Sequence, residues 1–343
     1  MVTKIGLDLG YANITLSDSN SEIYREPSVA LISKDTRRII SVGNSALALE
    51  GNLPENALLV RPFKNGLLFD QQITSSVIRC AVKDAVSRDR TRCVIGVPSD
   101  FVPKQEKELF SMLNQAGITD IFSVNRSVAA LIGAGYSPNI NAISVNIGAS
   151  STEIALFNEG NITNATRAEV GGEDFDIAVK EYILTQGDVN VSLSVARAIK
   201  EKLGSVWRGK DPESIDIEGT LTLTGNRVRM TLNTEDIIGV FEKPLRKLIM
   251  AVADAIKKIP LDNVEKTFKN GIVLTGGGAM IFGLEMMMSK VLGIPVMKPA
   301  DAIDSVAKGL SIINSFIPVK GRATNKNITY SVSKYYEDTN STK

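Results

Sequence analysis

Histidine does not occur among the 343 residues of this chain. Its absence removes Ser-His and Cys-His nucleophile systems and the commonest zinc sites. Cysteine is nearly absent too: Cys80 and Cys93 flank or enter apolar stretches, which reads as two buried thiols rather than a bridge and suits a reducing compartment. No apolar run approaches the ~18 residues of a membrane-crossing helix. The N-terminal MVTKIGLDLG opens directly on a strand pattern rather than on a signal peptide. A cytoplasmic protein is therefore expected. Nor is there an excess of either charge: 39 Lys and Arg face 38 Asp and Glu, a net +1. No global field recruits nucleic acid, which is not expected as a partner, and any membrane contact must come from a local patch. The chemistry left belongs to carboxylates, amides, hydroxyls, lysines and a metal held by oxygen.

What is present is enough apolar material, 43% of residues, for two ordinary cores. The most informative stretch is 143–157, ISVNIGASSTEIALF. Apolar residues on both sides of Gly148, Ala149, Ser150, Ser151 and Thr152 predict two antiparallel strands, joined by a loop small enough for its backbone amides to approach an anion. Residues 4–16, KIGLDLGYANITL, repeat the design around Gly10, Tyr11, Ala12 and Asn13. Two such hairpins predict two related half-molecules facing each other across a cleft. A third glycine turn, 275–280, follows the buried strand pattern GIVL and brings Gly276, Gly277, Gly278, Ala279 and Met280 to the same kind of strand end.

Around these turns, residues 24–32 read as one strand. Helical spacing predicts helices over 71–86, 104–116, 128–134 and 194–206, and one long helix over 237–258 with a kink at Pro244. Gly171, Gly172 and Glu173 open a helix that runs to 183. Residues 319–343 are polar and aperiodic and are expected to form a flexible tail.

The segments DLGYAN (8–13), EPSVA (26–30), RPFKNG (61–66), VIGVPS (94–99), AALIGAG (129–135), VGGEDFD (170–176) and GIVLTGGGAMIFGL (271–284) stand in order along the chain. Together they resemble the bacterial actin MreB family, from 4 to 313. IKEKLGS (199–205) resembles the nucleotide-contacting helix of actin itself. The altered residues and the Asn- and Lys-rich tail also resemble divergent paralogues of wall-less helical bacteria, used for cell shape and swimming.

This resemblance implies an α/β, actin-like (ribonuclease H-like) two-domain fold with a nucleotide cleft and two inserted small subdomains. Domain I would take 1–142 and 306–318, with its insertion at about 33–65. Domain II would take 143–305, with its insertion at about 184–244. It further implies ATP or ADP with Mg2+ in the cleft and self-assembly into filaments, paired and antiparallel, with other actin-like paralogues as further partners. Gly10 to Asn13 would hold the phosphates from one side and Gly148 to Ser151 from the other. Gly171, Gly172 and Glu173 would also line the nucleotide, Lys200 and Glu201 would contact base and ribose, and Gly276 to Met280 the adenosine. Asp8 would hold the metal through water, with Asn146 behind it.

Two departures stand out. Where the family usually reads Glu-Glu-Pro, this chain reads Asn125-Arg126-Ser127, and Asn125 cannot take a proton from an attacking water. General-base help is worth ~10²–10⁴ in rate, so weak hydrolysis is expected. Asn146 stands where the family has aspartate, which removes a negative charge near the metal. A plasmid-segregation type of filament, or a nucleotide-insensitive structural one, is the competing reading. Neither membrane device of the family is visible. Arg88, Arg90 and Arg92, with the tail, offer a basic patch for anionic headgroups, and Phe101-Val102 is a second candidate contact.

Overall fold

The computed structural model describes residues 2–18, 20, 22–64, 67–68, 70–86 and 90–317. Two five-stranded sheets dominate it, and they share one topology. In the first, the central strand Val2–Leu9 pairs antiparallel with Asn13–Ser17, which pairs antiparallel with Ile23–Pro27. On its other side Val2–Leu9 pairs parallel with Arg90–Val97, and that strand with Asp120–Asn125. The second sheet repeats this. Ala142–Ile147 is central, Thr152–Asn158 and Asn161–Ala168 follow antiparallel, and Ile272–Thr275 and Val296–Met297 extend the other side in parallel. The strands Ala142–Ile147 and Thr152–Asn158 are buried at every position but the last. Both faces of this hairpin are covered, which explains its near-continuous apolar sequence.

Two helices lie between the sheets. Arg126–Gly133 follows the first sheet's edge strand, and Ser305–Phe316 returns from the far end of the chain. They meet at glycines: a Cβ on Gly309 would stand 1.8 Å from the Ala129 carbonyl oxygen, and one on Gly133 1.8 Å from that of Ser305. No larger residue allows this approach. The returning helix is also tied to the first sheet, since Asn314 Nδ2 donates to the Ile5 carbonyl at 2.8 Å and Ser17 Oγ to the Ala307 carbonyl at 2.8 Å. One apolar cluster joins Val94, Phe122 and Val124 of the first sheet to Ala155, Phe157 and Val273 of the second through these helices.

Smaller sheets interrupt each half. Ala30–Ser33, Ile39–Val42 and Ala57–Val60 form one, and Val189–Asn190, Ser214–Leu221 and Arg227–Asn233 the other. The single strand expected over 24–32 is thus two strands in different sheets, broken at Ser28. That residue wraps the first loop, with its amide on the Ala12 carbonyl at 2.9 Å and its hydroxyl on the Gly10 carbonyl at 2.7 Å. The long helix expected over 237–258 is also divided. Thr234–Ile237 ends, Gly239 takes a φ of 91°, and Glu242–Ile256 begins anew. Pro244 therefore does not kink a helix; it sits in a first turn, where its missing N–H costs nothing. The expected tail, 319–343, lies outside the described residues.

Candidate functional site

The second loop is held shut by its own backbone: the Gly148 amide donates to the Ser151 carbonyl at 2.9 Å. The glycine turn ahead of the helix Gly172–Gly187 docks against it, with Gly172 N on Gly148 O at 2.9 Å and Glu173 N on Ala149 O at 2.8 Å. A Cβ on Gly171 would fall 2.5 Å from the Ala149 carbonyl oxygen, so this contact requires glycine. The third turn packs on the same hairpin. A Cβ on Gly276 would stand 2.4 Å from the Ile147 carbonyl oxygen and 2.5 Å from Asn146 Oδ1, and Gly276 has a φ of 86°. Gly277 to Met280 form a short 3-10 turn in which Ala279 is buried and Met280 half exposed.

Across the cleft, the first loop closes with Gly10 N on Asn13 O at 3.0 Å. Its Tyr11 hydroxyl reaches over to Glu173 Oε1 at 3.2 Å, which joins the two halves. Burial and then the Glu173 charge raise the Tyr11 pKa, so the phenol stays protonated and donates. Arg61 stacks on the Tyr11 ring at 5.3 Å and donates to the Ala12 carbonyl at 3.3 Å. Among the described residues, the amides of Tyr11, Ala12, Ala149 and Ser150 make no backbone hydrogen bond. Two sets of unspent donors on loops of small residues can cradle an anion between them.

Lys200 lies beside the docked turn. Its Nζ is 2.6 Å from Asp176 Oδ1 and donates to the Gly172 carbonyl at 3.1 Å, while Arg197 Nε is 3.2 Å from Asp176 Oδ2. Glu201, on the same helix Leu193–Leu203, is exposed, and its side chain has no hydrogen bond among the described residues.

Asn125 is engaged at both polar ends. Its Oδ1 accepts from Ser127 N at 2.8 Å, which caps the helix Arg126–Gly133, and its Nδ2 donates to Ser99 Oγ at 2.9 Å. An asparagine shorter than glutamate by a methylene folds back to cap the helix rather than reaching into the cleft.

Local sequence pattern assigns Arg126 no role. Its guanidinium lies between the two loops. Nε donates to Asp8 Oδ1 at 2.8 Å, one Nη to Glu153 Oε1 at 3.1 Å and the other to the Leu9 carbonyl at 3.2 Å. Asp8 stands two residues before the first loop and Glu153 two after the second, so one side chain ties both halves at their loop ends. A basic residue between a buried strand and an apolar helix was the available signal; its partners lie 118 and 27 positions away. Burial works against the Arg126 charge, but the two carboxylates outweigh it and its pKa is raised. Burial also raises the Glu153 pKa; Arg126 opposes this, and Asp8, a like charge, adds to it. Glu153 is 6% exposed, and its Oε2 has no hydrogen-bond partner among the described residues.

Magnesium, assigned by the resemblance to Asp8 and Asn146, does not fit this arrangement. A guanidinium already holds Asp8 Oδ1, and Asn146 Oδ1 faces Thr275 Oγ1 at 3.4 Å. No three acidic, histidine or cysteine side chains converge into a metal-holding group among the described residues. The basic patch needs correction as well. Arg92 is 2% exposed, donates to the Ile317 carbonyl at 2.7 Å and lies over the Phe122 ring, so it cannot meet a headgroup. Arg90 is paired with Asp120 at 2.7 Å, and Arg88 lies outside the described residues. Phe101 packs on the core of the first half and Val102 is half exposed. No helix among the described residues is long and apolar enough to cross a membrane.

The fold has counterparts among solved structures. The structure superposes on MreB5 of Spiroplasma citri bound to AMPPNP with a TM-score of 0.85, at 21% identity over 92% of this chain and 97% of that one. It superposes on the MamK double helical filament with a TM-score of 0.78, at 21% identity over 93% and 100%. The fold is thus actin-like, as expected. In sequence, the cell shape-determining protein Mbl of Bacillus cereus is 27% identical over 316 residues, 90% of this chain and 95% of its own. The cell shape-determining protein MreB of Escherichia coli is 28% identical, over 89% and 91%. The sequence model of the MreB/Mbl protein family matches residues 2–320, and the chain belongs to that family.

Proposed function

We propose that this chain binds an adenine nucleotide between its two halves and polymerises end to end into a cytoskeletal filament for cell shape or motility, with very slow ATP hydrolysis. The observation that carries the reading is the pair of opposed small-residue loops with unspent amides, in a chain of the MreB/Mbl family. Phosphate oxygens are the natural acceptors for such amides, and Arg61, Arg197 and Lys200 add positive charge beside them. Relatives named for cell shape and a neighbour solved as a filament support the assembly, and neighbours solved with AMPPNP and ADP support the nucleotide. Slow hydrolysis follows from Asn125, which has no proton-accepting group and whose side chain is committed to a helix cap.

Sedimentation and phosphate release measured together on the full chain test this reading. ATP is expected to drive pelleting while phosphate release trails assembly by orders of magnitude. Release as fast as assembly would remove the slow-hydrolysis reading, and pelleting indifferent to nucleotide would favour a structural filament instead. Electron microscopy of the pellet tests for paired, antiparallel protofilaments.

A further inference from the structure

We propose that Arg126 is a built-in cation that takes the place of a divalent metal at the phosphate end of the cleft, so that this chain binds its nucleotide without magnesium. The inference rests on the nucleotide reading above and deepens it.

The guanidinium contacts both neighbouring carboxylates and the Leu9 carbonyl, which immediately precedes the first loop. It is charged at any working pH, and it is 13% exposed, so the cleft can approach it only from one side. Of its five N–H groups, three are used, by Asp8, Glu153 and the Leu9 carbonyl. Two remain, on different nitrogens, and a phosphate oxygen is the acceptor that a planar fork of this kind matches best.

The same geometry works against a metal. Asp8 Oδ1 is held by the guanidinium, so a hydrated ion at the other carboxylate oxygen would sit beside a fixed positive charge. Asn146 supplies no compensating negative charge. Glu153 cannot easily take over, because one oxygen is held by Arg126 and the other is buried. In chemical terms the chain fixes one cation between two carboxylates, where a nucleotide site of ordinary design imports two positive charges with its metal. Magnesium then rides on the bound phosphates as it does in solution, or is absent, without deciding affinity.

Titration of the full-length chain with a fluorescent ATP analogue, once in excess magnesium and once in EDTA, tests this. The natural chain is expected to show dissociation constants within about threefold of each other. Arg126→Gln is expected to weaken binding in EDTA by tenfold or more and to regain most of it with magnesium; Arg126→Lys keeps part of the metal-free binding. A natural chain that binds tenfold or more tightly with magnesium overturns the proposal, and this comparison needs no variant to fold. A folded Arg126→Gln protein with unchanged binding in EDTA overturns it too. Binding in neither condition removes the nucleotide reading itself, so the two failures are told apart.

Discussion

Two buried charge clusters stand on the cleft, and they are built in opposite ways. Near the loop ends one cation, Arg126, serves two anions, Asp8 and Glu153, and the contact spans the two halves. Beside the docked turn one anion, Asp176, serves two cations, Arg197 and Lys200, and all three residues belong to the second half. The first cluster has an excess negative charge and depends on how the halves sit; the second has an excess positive charge and depends only on its own domain. Removing the shared ion should therefore be costly in one case as stability and in the other as coupling between halves.

The largest effect is expected where the shared ion is most buried. Asp176 is 1% exposed, and Asp176→Ala leaves Arg197 and Lys200 without the carboxylate they share. The expected loss is about 3 kcal/mol, toward the low end for a buried pair, because Arg197 stays 25% exposed. Urea unfolding reads it; a loss below ~1 kcal/mol would mean that water already screens the cluster.

Next comes a change that moves the helix bearing Arg126 without touching either cluster. Gly309→Ala forces a methyl onto the Ala129 carbonyl, and overpacking of this kind costs about 2 kcal/mol. Calorimetry checks the loss. Unchanged stability would show that the two helices can part freely, and that Arg126 is not held in register from behind.

Glu153→Gln is expected to change stability by only ~1 kcal/mol near neutral pH, since Asp8 and the Leu9 carbonyl still hold Arg126. Its signature is in the pH profile. Burial raises the Glu153 pKa above its ordinary 4.5. Its contribution to stability is thus full below the unfolded-state value and is lost as pH rises through the folded-state one. The natural chain should lose stability relative to Glu153→Gln over that rise. Parallel pH profiles would show that Arg126 neutralises Glu153 completely.

The smallest effect belongs to the other cross-cleft contact. Tyr11→Phe removes one half-buried hydrogen bond to Glu173 and should cost about 0.5–1 kcal/mol. A larger loss would make Tyr11, not Arg126, the main tie between the halves.

Much of this frame was legible from local pattern. The two hairpins, the helix after Gly171–Gly172 and the glycine step at 276–280 are stretches whose own residues dictate the turn, and the structure brings all of them together. Lys200 joins them, whereas Glu201 points to solvent. The helix over 237–258 was misread because apolar spacing continues through the break; only Gly239, a single residue, marks it. The strand over 24–32 was misread for a similar reason: its pattern does not reveal that Ser28 leaves one sheet to wrap the Gly10 loop.

The sequence by itself determined the α/β halves, the three turns and the family, because strand periodicity and glycine placement are written over a few neighbouring residues. Tertiary structure alone decided that Asn125 caps a helix, that Arg92 is buried and that Arg126 stands between Asp8 and Glu153. Those outcomes depend on which charges come together from positions far apart in the chain, and on how much water the two sheets exclude when the helices Arg126–Gly133 and Ser305–Phe316 close between them.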